Sequence, residues 1–395
     1  MRKSLLFSIL LTPLLYADTQ PSIEHYHSLF ETQKQEFLHF KKKQTHQFQN
    51  YKQQQQDAYE AYKKELSRYW QDPKLSSQKE WIRYSKDQKT RSSINFKDNT
   101  ITLETFAKSK KQAVGTLQKS LATLSIQDTK TAISNDPLEQ KIAAITPPND
   151  VVQSDIDTKP VLAPVIYKHK PTRKEVVTYV TQHINDATVV EQKKPTKTGD
   201  KLYEVVVSLP KDTTYQRSKF YLNEVRENGA LQRIQPEVLF AVIHTESAFN
   251  PKATSYVPAY GLMQIVPHTA GVDSYYYLYH VKKKPSSHYL YNAHNNIRLG
   301  SAYLHLLFYS YLRYIKNKQS RLYCTIAAYN TGAGNVAWAF TKHYNVKKAA
   351  QYINTLSPDE VYAHLLQHLK YEETKNYLKR VTKRIAIYRE LYATR

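Results

Sequence analysis

Residues 246–251 read Glu246-Ser247-Ala248-Phe249-Asn250-Pro251 and close an apolar run that begins after Pro236. Apolar residues and one carboxyl recur three or four residues apart, which predicts a single helix face made of Leu239, Val242, Glu246 and Phe249. An ionised carboxylate is costly on such a face, so the pKa of Glu246 is expected to be raised. A carboxylic acid that keeps its proton suits general-acid catalysis. The alternative is a buried Glu satisfied by a hydrogen bond.

The ends of this helix are marked by two prolines. Pro236 can open the helix and Pro251 stops it soon after Asn250, so Glu246 would lie near a helix end that a cleft can reach. Downstream, the chain presents small residues, amides and aromatic hydroxyls in short groups. These groups are Ser255, Gly261-Leu262-Met263-Gln264, Ala328-Tyr329-Asn330-Thr331-Gly332 and Tyr377.

Taken in order, Glu246-Ser247 and these groups resemble the four signature motifs of the lytic transglycosylases with a goose-lysozyme-like fold. The resemblance is fullest over residues 212–395. Residues 81–106 and the strand before Pro210 also resemble the N-terminal domain of a membrane-bound branch of that family. The resemblance implies a mainly α chain with a lysozyme-like helical catalytic domain over residues 211–395.

The rest of the chain predicts a helical arm and a small α+β domain ahead of the catalytic domain. Residues 18–70 are rich in Gln and Lys with aromatics at helical spacing, and residues 71–210 mix strands with helices. Within the second range we predict a hairpin around Asp98-Asn99, helices over 107–145 and 171–185, a long loop over 146–171 and a strand over 203–209.

Net charge narrows the class of partner. The 395 residues include 57 Lys and Arg against 34 Asp and Glu, a formal charge of +23. Such an excess favours an anionic partner, which could be nucleic acid, a membrane surface or an acidic polymer such as the cell wall. Charge alone does not choose among them.

The first residues predict export. Arg2 and Lys3 precede a mostly apolar stretch, and Ala17 offers a small residue for cleavage, so we expect a signal peptide over residues 1–17. No cysteine lies near Ala17 for lipid attachment. We therefore expect a periplasmic protein, with association with the outer membrane left open. Cys324 is the only cysteine, which excludes an intramolecular disulfide, and its apolar neighbours predict a core residue.

Carboxylates are scarce around the motifs. A typical glycoside hydrolase uses two, but the segment from Ser247 to Pro358 contains one acidic residue, Asp273, within a basic and Tyr-rich stretch. The acids that follow lie in polar surroundings typical of a surface: Asp359, Glu372 and Glu373. The sequence therefore offers one well-placed acid.

The resemblance implies a chemistry that needs only one acid. The substrate would be peptidoglycan, whose bond between N-acetylmuramic acid and N-acetylglucosamine would be cut without water to leave 1,6-anhydromuramic acid ends. Glu246 would act as general acid and then as base, with no metal and no cofactor. Substrate binding is expected of Ser247, Ser255, Gly261, Met263, Gln264, Ala328, Tyr329, Asn330 and Tyr377, the last of these bonded to Glu246.

Other functions remain open at this point. The same fold could support a hydrolytic muramidase, or the chain could be a non-catalytic peptidoglycan-binding protein. The N-terminal arm could contact outer-membrane or cell-wall machinery. Nucleic-acid binding would fit the charge, but the secretory start and the lack of a recognised nucleic-acid motif argue against it.

Overall fold

The computed structural model describes residues 23–193, 199–210, 212–255 and 259–393. The predicted signal peptide lies outside these ranges, and so do residues 256–258. The helices are α1 Ile23–Leu66, α2 Lys110–Ile126, α3 Thr129–Ser134, α4 Pro137–Ala143, α5 Ala163–Ile166, α6 Arg173–His183, α7 Thr213–Lys219, α8 Leu222–Gln232, α9 Pro236–Ser247, α10 Ala270–Tyr279, α11 Ser287–Tyr291, α12 Ala293–His305, α13 Lys318–Thr331, α14 Ala333–Thr341, α15 Val346–Ile353, α16 Pro358–His368 and α17 Glu372–Ala393. A π-helical stretch, Leu306–Tyr311, follows α12. The strands are β1 Glu80–Tyr84, β2 Thr90–Asn95, β3 Thr100–Ala107, β4 Val151–Val152, β5 Val190–Gln192, β6 Lys201–Ser208 and β7 Lys284–Pro285.

Two units share the chain, one ending at Lys52 and one running from Gln53 to Arg395. In the first, the described part is residues 23–52 of helix α1, which form surface contacts such as the ion pair between Lys34 Nζ and Glu31 at 2.9 Å. The predicted helical rhythm of the arm is thus confirmed as one continuous helix. Among the described residues, no helix is both long and apolar enough to cross a membrane.

The second unit contains a five-stranded antiparallel sheet in the order β1-β2-β3-β6-β5. The predicted hairpin is confirmed as β2 and β3, which pair Asn95 with Thr100. Asn99 has φ 55° in the turn between them, a left-handed conformation that Asn tolerates better than most residues. Alternate residues of β3, Ile101 and Leu103, are fully buried, as a half-buried strand requires.

The prediction for residues 146–171 is wrong in part. Strand β4 lies in this range and pairs in parallel with β7, from the distant segment near residue 284. The short helix α5 lies there as well. The pairing between Val151 and Lys284 could not be seen locally, because two-residue strands carry no periodicity. The predicted helices over 107–145 and 171–185 and the strand over 203–209 are confirmed as α2 to α4, α6 and β6.

Helix α9 lies in the core of the helical half of the second unit, which comprises α7 to α17 over residues 213–393. Its residues Val238 to Ile243 are all buried, which is the pattern of a helix surrounded by protein on every side. Helix α17 packs along it, and the Tyr388 hydroxyl lies 3.0 Å from His244 Nδ1. Cys324 is buried on α13, which confirms the prediction of a core residue.

The predicted helix ends earlier than the apolar spacing suggested. Pro236 occupies the first turn, as expected, but Ala248 and Phe249 have φ of 50° and 64° and leave the helix. Phe249 therefore does not continue the helix face predicted for it. Left-handed conformations cost free energy for residues other than Gly, so the packing around this turn must stabilise it.

Packing around the turn joins the sheet to the helical half. The Asn250 amide donates to the carbonyl oxygens of Ser77 and Gln78 at 3.3 and 3.2 Å, just before β1. Arg217 Nη2 donates to Ala248 O at 3.2 Å and to Phe96 O at 2.6 Å.

A buried ion cluster completes this junction. Lys252 Nζ pairs with Asp136 and lies 3.3 Å from Glu139, and all three side chains are less than a tenth exposed. Tyr59 and Tyr62 of α1 line a small cavity beside the cluster. Buried charges of this kind are tolerated only when they are paired.

We predict that Lys252→Met lowers the free energy of unfolding by about 3–5 kcal/mol, because Asp136 and Glu139 would lose their cation in the interior. Urea unfolding followed by circular dichroism measures the change. The matched control is Lys201→Met, which removes a surface pair with Glu191 in which the side chains are 58% and 44% exposed, and it should lower the free energy of unfolding far less. Equal losses of unfolding free energy in the two variants would contradict the view that Lys252 stabilises two buried carboxylates.

Candidate active site

Glu246 lies in the last turn of α9 with its carboxyl partly buried. Burial raises the pKa of Glu246 to about 7 from its ordinary 4.5. The negative charge of Glu373 on α17 also raises it, whereas the nearby cations Lys79 and Arg380 lower it. The carboxyl can therefore lose and regain its proton near neutral pH. Such a pKa suits a group that both gives and accepts a proton.

Tyr377 is the residue of α17 that acts most strongly on the pKa of Glu246. Its side chain is 2% exposed, and its attraction to the carboxylate lowers the pKa of Glu246. Burial, and then the charge of Glu246, raise the pKa of the Tyr377 hydroxyl well above its usual value. Within the described residues, the hydroxyl makes no hydrogen bond that meets the usual limits of length and angle.

Tyr329 forms another side of the site. Its hydroxyl donates to the carbonyl oxygen of Met263 at 2.8 Å, which ties α13 to the loop after α9. Burial raises the pKa of Tyr329, and the charge of Glu246 raises it further. The next residue, Asn330, accepts a hydrogen bond from Thr374 Oγ1 at 2.7 Å and so links α13 to the start of α17.

The loop carrying Gly261 and Gln264 has an unusual backbone. Gly261 has φ 74°, and a Cβ atom there would lie 2.2 Å from the carbonyl oxygen of Leu290, so only glycine fits. Gln264 has φ 50°, and its Nε2 donates to Gly261 O at 3.1 Å. Its Oε1 is buried and has no protein partner in the described ranges, which leaves an acceptor for a ligand N–H.

Several predicted site residues lie behind the surface of the site. Ser247 is fully buried, and its hydroxyl donates to Ile243 O at 3.0 Å and accepts from Phe249 N at 3.1 Å. Met263 and Ala328 are also fully buried, and the sulfur of Met263 occupies the space that a side chain at residue 300 would need. Ser255 is partly exposed and accepts a hydrogen bond from Ala259 N at 3.1 Å.

Sequence reasoning missed three charged residues whose fields reach Glu246: Lys79, Glu373 and Arg380. Glu373 is exposed, as predicted, yet its charge acts on the site. Arg380 follows Tyr377 by three residues on α17, a spacing that places both on one helix face and could have indicated it. No local signal marks Lys79, which comes from the sheet region 167 residues before Glu246.

Comparison with known families matches two regions of the chain. Residues 224–352 match the transglycosylase SLT domain, and residues 41–135 match the N-terminal domain of membrane-bound lytic murein transglycosylase C. The class is therefore a lytic transglycosylase whose SLT domain lies in the C-terminal half of a mainly helical chain.

Relatives that match most of the chain narrow the class to one family. Membrane-bound lytic murein transglycosylase C of Sodalis glossinidius is 33% identical over 78% of this chain and 82% of its own length, and that of Yersinia pestis is 34% identical over 78% and 81%. The 70 kDa soluble lytic transglycosylase of Escherichia coli aligns over 46% of this chain and 26% of its own, with 24% identity and a TM-score of 0.35. The chain belongs to the membrane-bound lytic murein transglycosylase C family of enzymes.

We predict that Glu246→Gln stabilises the protein in a pH-dependent way. Below about pH 4.5 the carboxyl is protonated in the folded and unfolded states alike, so the two proteins should be similar. Between pH 4.5 and 7 only the unfolded state of the wild type releases its proton, and the wild type loses stability relative to the variant. The difference should reach up to about 3 kcal/mol and level off above pH 7.

Urea unfolding at a series of pH values measures this curve. Glu390→Gln, on the exposed side of α17, is the control for the same change of residue at the protein surface. A flat difference for Glu246→Gln would show that the carboxyl is not held in its protonated form.

Proposed function

We propose that this enzyme cleaves the β-1,4 bond between N-acetylmuramic acid and N-acetylglucosamine in peptidoglycan without water. The observation that carries the proposal is the single carboxyl of Glu246, whose pKa of about 7 lets one residue act as acid and then as base. The relatives are named for murein, and the net charge of +23 suits a polymer whose peptide stems carry carboxylates.

In the first step, the Glu246 carboxyl gives its proton to the glycosidic oxygen. The bond from that oxygen to C1 of the muramoyl residue breaks, and N-acetylglucosamine leaves with a hydroxyl group. The substrate's own N-acetyl group stabilises the positive charge at C1. Glu246 is now a carboxylate, which Tyr377, Lys79 and Arg380 stabilise.

In the second step, the Glu246 carboxylate takes the proton of the muramoyl C6 hydroxyl. The oxygen at C6 bonds to C1 and closes the 1,6-anhydro ring, and Glu246 returns to its protonated form. No second carboxylate and no water are consumed.

Substrate positioning follows from the polar atoms around Glu246. Gln264 Oε1 is the acceptor for an N-acetyl N–H, and Asn330 and Ser255 hold sugar hydroxyls. Tyr329 forms a wall of the cleft. Ser247, Gly261, Met263 and Ala328 shape the site through their backbone and packing.

The remaining assignments follow the same proposal. Residues 211–395 act as the catalytic domain, 71–210 as the small α+β domain and 18–70 as the helical arm. We place the enzyme in the periplasm, in contact with the cell envelope, because the relatives are named membrane-bound.

We expect digestion of purified peptidoglycan to yield muropeptides that are lighter than reducing ends by one water. Mass spectrometry identifies them. Glu246→Gln keeps the shape of the side chain but removes the acid, and it should lower the rate by at least about 100-fold. Products that carry only reducing muramic acid ends would instead establish a hydrolytic muramidase. Wild-type protein that binds peptidoglycan without cleaving it would favour a peptidoglycan-binding protein.

Tyr377→Phe should lower the rate by roughly 10- to 100-fold, because the Glu246 carboxylate formed in the first step loses a hydroxyl that stabilises it. The assay is the release of anhydro-muropeptides at pH 7. Tyr371→Phe, with a side chain 47% exposed near the start of α17, is the matched control and should retain wild-type activity. Equal rates for wild type and Tyr377→Phe would remove Tyr377 from the mechanism.

A further inference from the structure

The segment before β1 is held against the end of the helix that carries Glu246. Ser77 O accepts hydrogen bonds from the Asn250 amide at 3.3 Å and from Thr254 N at 3.4 Å. Gln78 O accepts from the same amide at 3.2 Å. Two successive residues of the sheet region are thus fixed to the loop that follows α9.

Lys79 is the next residue, and its backbone is fixed from the other side. Its carbonyl oxygen accepts from Phe96 N at 2.8 Å, which continues the pairing of β1 with β2. Phe96 O in turn accepts from Arg217 Nη2 at 2.6 Å, and Arg217 also bonds the carbonyl oxygen of Ala248. The backbone of Lys79 is therefore clamped between the sheet and the turn after Glu246.

The clamp brings the Lys79 ammonium into a group of cations. Burial lowers the pKa of Lys79 to about 8, and Arg380, Arg384 and the exposed Lys97 lower it further, whereas Glu246 raises it. Arg384, on the adjoining helix α17, donates from Nη1 to Oγ1 of Thr245, the residue before Glu246, at 2.7 Å. The charge of Lys79 in turn lowers the pKa of Glu246.

We propose that Lys79 is a positioning residue of the active site, through which the sheet region places a cation beside Glu246. This inference rests on the proposed function for its catalytic consequence. The hydrogen bonds around Lys79 limit the movement of its backbone. A cation on a flexible loop would be held less firmly near the carboxyl. The C-terminal end of α9, with its partial negative charge, also favours a cation at this position.

The sign of the effect follows from the groups that face Glu246. Lys79 and Arg380 stabilise its carboxylate, as does Tyr377, while Glu373 opposes it. Replacing Lys79 by a neutral residue therefore raises the pH at which Glu246 loses its proton. Without this cation, Glu246 would still hold the proton that it gives in the first step. It would form the carboxylate that takes a proton in the second step less readily.

The test combines two substitutions and needs no substrate. The stability difference between Glu246 and Glu246→Gln proteins, measured by urea unfolding against pH, levels off where Glu246 ionises in the folded state. In a Lys79→Met background we expect this levelling to occur about 0.5–1 pH unit higher. Lys79→Arg keeps the charge and should give the same curve as the wild-type background. The control Lys86→Met, on the exposed turn after β1, should also leave the curve unchanged.

An unmoved curve in the Lys79→Met background would overturn the proposal, and so would a curve that moves equally with Lys86→Met. Activity supplies an independent readout. The alkaline limb of kcat/KM on soluble glycan fragments should shift upward by the same interval, while a rise in KM with an unmoved limb would make Lys79 a substrate-binding cation instead. A shifted stability curve in a protein that cleaves no glycan would support the positioning role and reject the proposed function.

Discussion

The turn that ends helix α9 is the constraint on which the rest of the second unit depends. Ala248 and Phe249 adopt left-handed conformations that would be unstable in isolation. They are retained because Arg217 bonds the Ala248 carbonyl and Asn250 bonds the segment before β1. The same turn leads to Lys252 and its buried carboxylates. One local distortion therefore ends the helix at its acid and docks the sheet region against it.

In the proposed mechanism, catalysis by one carboxyl depends on a balance between burial and nearby charges that this docking sets. Burial alone would keep Glu246 protonated, which suits the first proton transfer but hinders the second. Cations from two different parts of the chain, Lys79 and Arg380, offset part of that burial. The raised but near-neutral pKa is thus a property of the assembled unit, since neither the helix nor the sheet produces it alone.

Sequence reasoning succeeded where the signal was local. The hairpin at Asp98-Asn99 and the start of α9 at Pro236 follow from turn and proline chemistry, and both are present. It failed for Phe249, because apolar spacing continued past the residue at which packing ends the helix. It also failed for β4, whose two residues are a strand only because β7 pairs with them.

The sequence by itself determined the family and the mainly helical C-terminal half, because the motifs around Glu246 occur in order. It also predicted Glu246 as the acid, because Asp273 is the one acidic residue between Ser247 and Pro358. Tertiary structure decided which motif residues face the site and which support it from behind, as the buried Ser247 and Met263 do. It also decided that Lys79 belongs near Glu246. The physical reason is that electrostatic interactions act through space, so residues far apart in sequence can tune one pKa once folding brings them together.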